Sequence, residues 1–338
     1  MENLPELKQF FKDKTILVTG GTGSIGEQIV SSLLSYQPKK IVIFSKDDSK
    51  QYLMKQKYLT YKNLFFLLGD IRDYDSIEYA TRGTDFVFHV AALKQVPICE
   101  ENPFEAVKTN IIGSENVIRA CIFNNVKKVV NVSTDKAVNP TNTMGATKFI
   151  SEKMFTNANT KLNNKETVFC SVRFGNVINS RGSVIPLFMK QAKDGKPLTV
   201  TDPGMTRFIM SISNAANLTL KSIYFSRGGE TFIFKMKAIR ILTLAEVIQS
   251  HYANKGVTNL TVQVVGSRPG EKLFEELIYD HEVNHVVEND ELYVILPQKG
   301  KDILPFRSCP SPMIRSDKLE FLSKDDILKM IETLEDTW

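Results

Sequence analysis

An α/β fold with a doubly wound parallel sheet is what the chain predicts, on three observations. Short, continuous apolar runs alternate with segments of helical period from Thr15 to about Cys170, as expected of strands buried on both faces and joined by helical crossovers. The first run leads through TGGTGSIG, residues 19–26, directly into the first helical segment. Small, hydroxylated and charged residues gather where the later runs stop, which in an open α/β sheet is the edge that binds ligands.

In chain order the expected strands are 15–19, 40–45, 64–68, 85–91, 127–133 and 167–173. Most are continuous apolar runs, short enough for strands. Helical periodicity marks 27–36, 75–82, 104–124 and 146–162 between them, which makes βαβ units. After Gly175 the alternation weakens into Gly-, Pro- and Arg-rich stretches such as NSRGSVIPLF and TDPGMTRF. The expected organisation is therefore a dinucleotide-binding domain over 1–175, with returns to its sheet at about 207–250. A smaller substrate-binding lobe is expected from 176–206 and 255–338. No internal repeat or low-complexity tract is present.

Composition narrows the class. The 338 residues are 42% hydrophobic and 24% charged, ordinary for a globular protein with a sizeable core. A net charge of +5 without a basic run argues against nucleic acid as a partner. The four cysteines, Cys99, Cys121, Cys170 and Cys309, form no CxxC and read as reduced thiols. Three of the four histidines fall late in the chain, His281 and His285 among them four apart in HEVNH, and no metal is expected. The opening MENLPELKQFFKDK has no apolar signal core, and no apolar run approaches bilayer-spanning length, so the expectation is a cytoplasmic protein without a membrane partner.

The strand ends supply the chemistry. In TGGTGSIG, Gly20, Gly23 and Gly26 allow a tight turn and close backbone approach, and the N-terminus of the following helix suits a pyrophosphate. Placed between a strand and a helix, this Rossmann-like turn predicts a dinucleotide held by Thr19, Gly20, Thr22, Gly23, Ser24, Ile25 and Gly26. The second strand ends in FSKDDSKQ. Ser45, Lys46 and Lys50 there favour the 2′-phosphate of NADP, and Asp47 and Asp48 keep NAD as the alternative. Asp70 and Ile71 end the third strand, where a carboxylate meets an adenine amino group. Ala91 and Ala92 end the fourth and let the chain run beside a cofactor. VSTDKAVNP ends the fifth, placing Thr134, Asp135 and Lys136 where a hydroxyl, a carboxylate and an amine orient groups and move protons. Met144 and Lys148 lie four apart, on one face of the next helix.

Taken together, TGxxGxxG, the Ser-Thr-Asp-Lys turn and the Met144–Lys148 spacing resemble the extended short-chain dehydrogenase/reductases. AALKQVP (91–97), EAVKTNIIG (105–113), STDKAVNPTNTMGATK (133–148), RFGNVINSRGSVIPLF (173–188), TDPGMTRF (201–208) and RPGEKLFEEL (268–277) narrow the resemblance. They are similar to the UDP-N-acetylglucosamine 4,6-dehydratase, or polysaccharide-biosynthesis, branch, in its methionine-containing subgroup. The match runs from about residue 14 to residue 280.

Most short-chain dehydrogenases have tyrosine, the base for the substrate hydroxyl, where this chain has Met144. The resemblance implies that Met144 faces the active site without serving as that base. It implies that Lys148 holds the nicotinamide ribose and that Lys94 reaches the sugar or the nicotinamide. The implied reaction passes hydride from carbon 4 to carbon 6 of a UDP-hexosamine with loss of water. Asp135 is then the acid for the 6-hydroxyl, Thr134 orients the 4-hydroxyl, and Lys136 is the carbon 5 base, its pKa lowered by burial and neighbouring cations. Asn176, Arg181, Arg207 and Arg268 are expected on the uridine and diphosphate, the peptides from Ser183 and Val184 on uracil, and Glu271 on the ribose. A homo-oligomer, dimer or hexamer, is also implied. The alternatives are a paralogue isomerising a 5,6-unsaturated UDP-sugar, a 4-epimerase, and a catalytically dead cofactor sensor.

Overall fold

The computed structural model describes residues 5–297 and 305–335. Six parallel strands, β1 (Thr15–Thr19), β2 (Lys40–Ser45), β3 (Leu64–Leu68), β4 (Phe86–His89), β5 (Lys128–Val132) and β6 (Val168–Arg173), stand in the spatial order 3-2-1-4-5-6. The chain winds outward in both directions from β1 and β4, so a crevice opens at their carboxyl ends. The expected α/β doubly wound sheet is thus the observed one. Among the described residues, eight α-helices accompany this half: α1 (Pro5–Phe11), α2 (Ser24–Leu34), α3 (Asp48–Lys57), α4 (Tyr74–Thr81), α5 (Val96–Glu101), α6 (Pro103–Val107), α7 (Gly113–Phe123) and α8 (Thr143–Ala158).

Two helical features depart from expectation. No helix was expected between β2 and β3, yet α3 starts within FSKDDSKQ, because Asp47 caps it by accepting from the Lys50 amide at 2.9 Å. Its polar composition hides a helix anchored by only two buried residues, Gln51 and Met54. The helix expected over 104–124 is interrupted by a π-turn at Lys108–Ile112. There Asn110 accepts from the Leu93 amide at 2.8 Å and donates to the Leu93 carbonyl at 3.0 Å, so the extra residue aims a side chain at the cleft wall.

Beyond β6 the main sheet continues with Thr231–Phe234 in parallel, then Leu292–Ile295, Val286–Glu288 and Arg307–Ser308 antiparallel. The assignment of all of 255–338 to the smaller lobe is corrected accordingly. The reason is hydrogen bonding: Thr231–Phe234 is buried over most of its length, and its outer edge needs the apolar LYVI strand as partner. Residues 1–4, 298–304 and 336–338 of the expected domains lie outside the described residues.

One face of the main sheet packs Ile16, Val18 and Ile43 with α2 and the Ile212–Phe225 helix. The other packs Leu17, Val87 and Val129 under Ile77, Val117 and Phe155. A separate core around Phe188, Leu198, Leu244, Ile248 and Ile331 builds the smaller lobe from helices Val184–Lys193, Ile241–Asn254 and Lys324–Glu335. Behind the cleft, fully buried Arg173 pairs with Glu152 of α8 at 2.5 Å and Glu282 at 2.6 Å, and donates to the Leu277 carbonyl at 3.1 Å.

Candidate active site

A cleft of about 1170 Å³ runs along the carboxyl ends of the strands. That exceeds the 300–1,000 Å³ usual for one small ligand and suits a dinucleotide beside a nucleotide sugar. On one side, α2 begins at Gly23 with no side chain capping it, so its first N–H groups are free for a phosphate. Gly26 is what lets α2 sit so close: a Cβ there would lie 2.4 Å from the Gly20 carbonyl oxygen. These residues fit a dinucleotide pyrophosphate. Gly20, Thr22, Gly23, Ser24 and Ile25 line the cleft. Thr19 and Gly26, expected with them, do not. The Thr19 hydroxyl is fully buried against His89 Nδ1 at 2.9 Å and accepts from the Val90 amide at 3.2 Å, while Gly26 packs helix on strand.

Beyond β2, Ser45 bonds the Thr22 hydroxyl at 2.9 Å. Lys50 is turned onto Asp47, whereas Lys46, 54% exposed, has Asp70 at 3.7 Å. Burial raises the Asp70 carboxyl, but Arg72 and Lys46 outweigh it and hold the group below the usual range. Ile71, Ala91, Ala92 and Lys94 also line the cleft. Desolvation, helped by the positive charge of Arg181, pushes Lys94 below its ordinary pKa.

The sugar side is assembled from distant segments. The turn after β5 docks on residues 270–279: Lys272 donates to the Val138 carbonyl at 2.7 Å, Thr141 to the Gly270 carbonyl at 2.8 Å, and Tyr279 to the Ala137 carbonyl at 2.5 Å. Gly145 admits the turn from the other side, since a Cβ there would lie 2.2 Å from the Lys136 carbonyl oxygen. Thr134, Lys136, Met144 and Lys148 all line the cleft. Met144 is 3% exposed and packs on Cys99 and Ala106. Lys148 donates to the Val132 carbonyl at 2.5 Å, and burial brings its pKa down to about 8, opposed by Glu152.

Asp135 is fully buried and absent from the cleft wall. Its Oδ1 accepts from the Thr134 hydroxyl at 2.8 Å and from Lys136 Nζ at 3.0 Å. Lys136 also lies 3.3 Å from Glu275 and donates to Asn176 Oδ1 at 3.2 Å. The expectation of a lowered Lys136 pKa is corrected. Burial does lower it, but the carboxylates of Asp135 and Glu275 outweigh burial and the Arg207 cation, and the net direction is up. Glu275, 2% exposed, was not singled out in the sequence, although it stands four residues after Glu271 in RPGEKLFEEL. Gly145 was missed as well.

Asn176, Ser183, Val184, Arg207, Arg268 and Glu271 line the far end. Arg207 faces Glu271 and Glu275 at 3.7 Å each. Arg181, expected on the sugar nucleotide, lines the cleft as well and donates to the Thr22 carbonyl at 2.6 Å across the glycine turn. Among the described residues no His, Cys, Asp and Glu group is arranged to hold a metal ion, and no helix is long and apolar enough to cross a membrane.

The chain is similar to known proteins along its length. It is 43% identical over 337 residues to an uncharacterized membrane protein of Methanocaldococcus jannaschii, covering 97% of this chain and 98% of that one. It is 44% identical over 298 residues to a UDP-glucose 4-epimerase of Rickettsia bellii, covering 87% and 85%. The X-ray structure of Pen from Bacillus thuringiensis superposes with a TM-score of 0.91 at 42% identity, covering 96% of this chain and 99% of that one. The polysaccharide biosynthesis protein model matches residues 16–297, and with that span the chain belongs to the polysaccharide biosynthesis protein family.

Proposed function

We propose that the chain is a nicotinamide-dependent UDP-N-acetylglucosamine 4,6-dehydratase that makes a UDP-4-keto-6-deoxy-hexosamine for surface glycans or flagellin sugars. The observation that carries this reading is Lys136, on the cleft wall with a carboxylate on each side. A 4-epimerase, the activity named for the Rickettsia relative, needs hydride transfer at carbon 4 alone. Acid–base equipment beyond that step suits removal of the carbon 5 proton and of the 6-hydroxyl.

A bound nicotinamide supplies a reversible hydride acceptor. Lys148 holds its ribose, and Lys148 and Lys94 together place positive charge near a developing alkoxide at carbon 4. Thr134, whose proton is given to Asp135, is free to accept from the 4-hydroxyl. Lys136 exchanges protons with carbon 5 and the 6-oxygen, and Asp135 holds its ammonium in place from behind. Arg207, Arg268 and Asn176 receive the nucleotide diphosphate, with Arg forks matched to phosphate. Lys46 favours NADP, since Asp47 is spent on capping α3 and on Lys50. Lys46→Glu is expected to shift preference toward NAD about tenfold, for one lost charge-assisted contact. Exposed Phe104, Ile112 and Ile150 on the helices beside the cleft support at least a dimer, which light scattering tests.

The test is incubation with UDP-N-acetylglucosamine in heavy water, without added reductant, followed by NMR. The expected product is 4-keto-6-deoxy with deuterium at carbon 5. Interconversion of carbon 4 epimers without deuterium overturns the reading in favour of an epimerase. Turnover of a 5,6-unsaturated UDP-sugar alone marks the second-step isomerase.

A further inference from the structure

Lys136 is asked to take a proton from carbon 5, yet two carboxylates hold it as a cation. A base that is already protonated removes nothing. The two carboxylates differ, however. Asp135 accepts two close hydrogen bonds on Oδ1, from the Thr134 hydroxyl and from Lys136, although its buried Oδ2 also has no partner among the described residues. Glu275 accepts no close hydrogen bond on either side-chain oxygen: its Oε1 faces Lys136 at 3.3 Å and Arg207 at 3.7 Å, and its buried Oε2 has no partner among the described residues. A buried carboxylate so poorly solvated has a high proton affinity.

We propose that Glu275 is the proton store behind Lys136, accepting the lysine's proton across their 3.3 Å contact so that the free amine faces carbon 5. This rests on the dehydratase reading above. Burial and the nearby Asp135 carboxylate raise the Glu275 pKa, against the pull of Lys136, Arg207 and Lys272, which narrows its distance from Lys136, itself raised by the two carboxylates.

The protons balance over a cycle. The Nζ–H bond of Lys136 breaks and an O–H bond forms on Glu275. The Lys136 lone pair takes the carbon 5 proton, the C5–C6 double bond forms, and the C6–O6 bond breaks. Lys136 gives that proton to the departing oxygen, so water leaves. After hydride returns to carbon 6, the stored proton passes from Glu275 through Lys136 to carbon 5. The proton shed earlier by the 4-hydroxyl on oxidation goes to solvent, and Lys136 regains one from solvent once the store is empty, so the pair ends each turnover as it began. Glu275 acts through Lys136 and is a positioning residue in this scheme.

A shared proton makes the amine available without exchange with bulk water. Wild-type deuterium incorporation at carbon 5, in the enzyme loaded with cofactor, is therefore expected to be flat between about pH 7 and 9. In Glu275→Gln, Lys136 must lose its proton to solvent. Incorporation is expected to fall about 100-fold at pH 7, the usual worth of a positioned acid or base, and to recover about tenfold per pH unit. Reduction of the nicotinamide on adding substrate, read at 340 nm, is expected to stay within about threefold, since it precedes the carbon 5 step. A purely structural role changes both half-reactions together and leaves the pH profile flat, and that result overturns the proposal. So does a wild-type profile that itself climbs tenfold per pH unit, a measurement needing no variant to fold. If wild type incorporates no deuterium at all, the dehydratase reading fails and takes this proposal with it. If wild type and Glu275→Gln incorporate it alike, only the proton store is wrong.

Discussion

Along the dinucleotide wall of the cleft, the lining groups come from residues close in succession: Gly20 and Thr22 to Ile25 after β1, then Ser45 and Lys46 after β2. Along the sugar wall, Thr134 and Lys136 from the turn after β5 meet Glu271, Lys272 and Glu275 from far down the chain. The first wall works through backbone, where free N–H groups and a helix end act whatever the side chains do. The second works through buried charge, whose state depends on every neighbour within a few ångströms. Damage to the fold behind the two walls should therefore have different signatures.

The largest effect is expected behind the sugar wall. Arg173→Met leaves Glu152 and Glu282 buried without their cation, and breaking such a pair costs about 3–5 kcal/mol. Thermal unfolding should show that loss, and sugar-nucleotide affinity should fall more than dinucleotide affinity. Equal loss of both would erase the distinction between the walls.

Next comes pH. Burial brings Lys148 to about 8, from an ordinary lysine value of 10.5. Below pH 8 both folded and unfolded chains carry the proton and the burial penalty is fully felt. Between about 8 and 10.5 the unfolded chain binds more protons, so stability rises with pH. Wild type minus Lys148→Met, followed by urea unfolding without ligands, should gain roughly 2–3 kcal/mol across that window. A flat difference would mean that Lys148 is well solvated.

Each wall also rests on one glycine. Gly26→Ala drives a methyl onto the Gly20 carbonyl and Gly145→Ala onto that of Lys136, each costing about 1–3 kcal/mol as overpacking. Dinucleotide fluorescence titration should show weaker binding in the first variant. The second should keep that binding and lose carbon 5 chemistry, because the displaced group is Lys136 itself. The smallest effect is expected for Met144→Leu, a volume-conserving change costing under about 1.5 kcal/mol, with nicotinamide reduction at 340 nm nearly unchanged. A large loss there would give the thioether a chemical role.

Most of the dinucleotide wall was legible in the sequence, since a continuous apolar run, a glycine turn and a helix are local patterns. What escaped had its cause elsewhere. The α3 helix is concealed by charges that make good caps and solvated faces, and the π-turn at Lys108–Ile112 exists because Asn110 reaches the Leu93 backbone. Thr19 looked like a ligand contact until His89 came across from the neighbouring strand to take its hydroxyl.

The sequence alone determined the six-stranded parallel part of the sheet, the glycine turn at its switch point, and which side chains follow each of those strands. Periodicity and turn chemistry act over a few residues and can be read in order. The tertiary structure decided the charge of Lys136, the withdrawal of Asp135 from the cleft, the crossing of Arg181 to the glycine turn, and the arrival of Glu275. A pKa is set by burial and by charges close in space, and proximity in a folded chain is not written in its spacing.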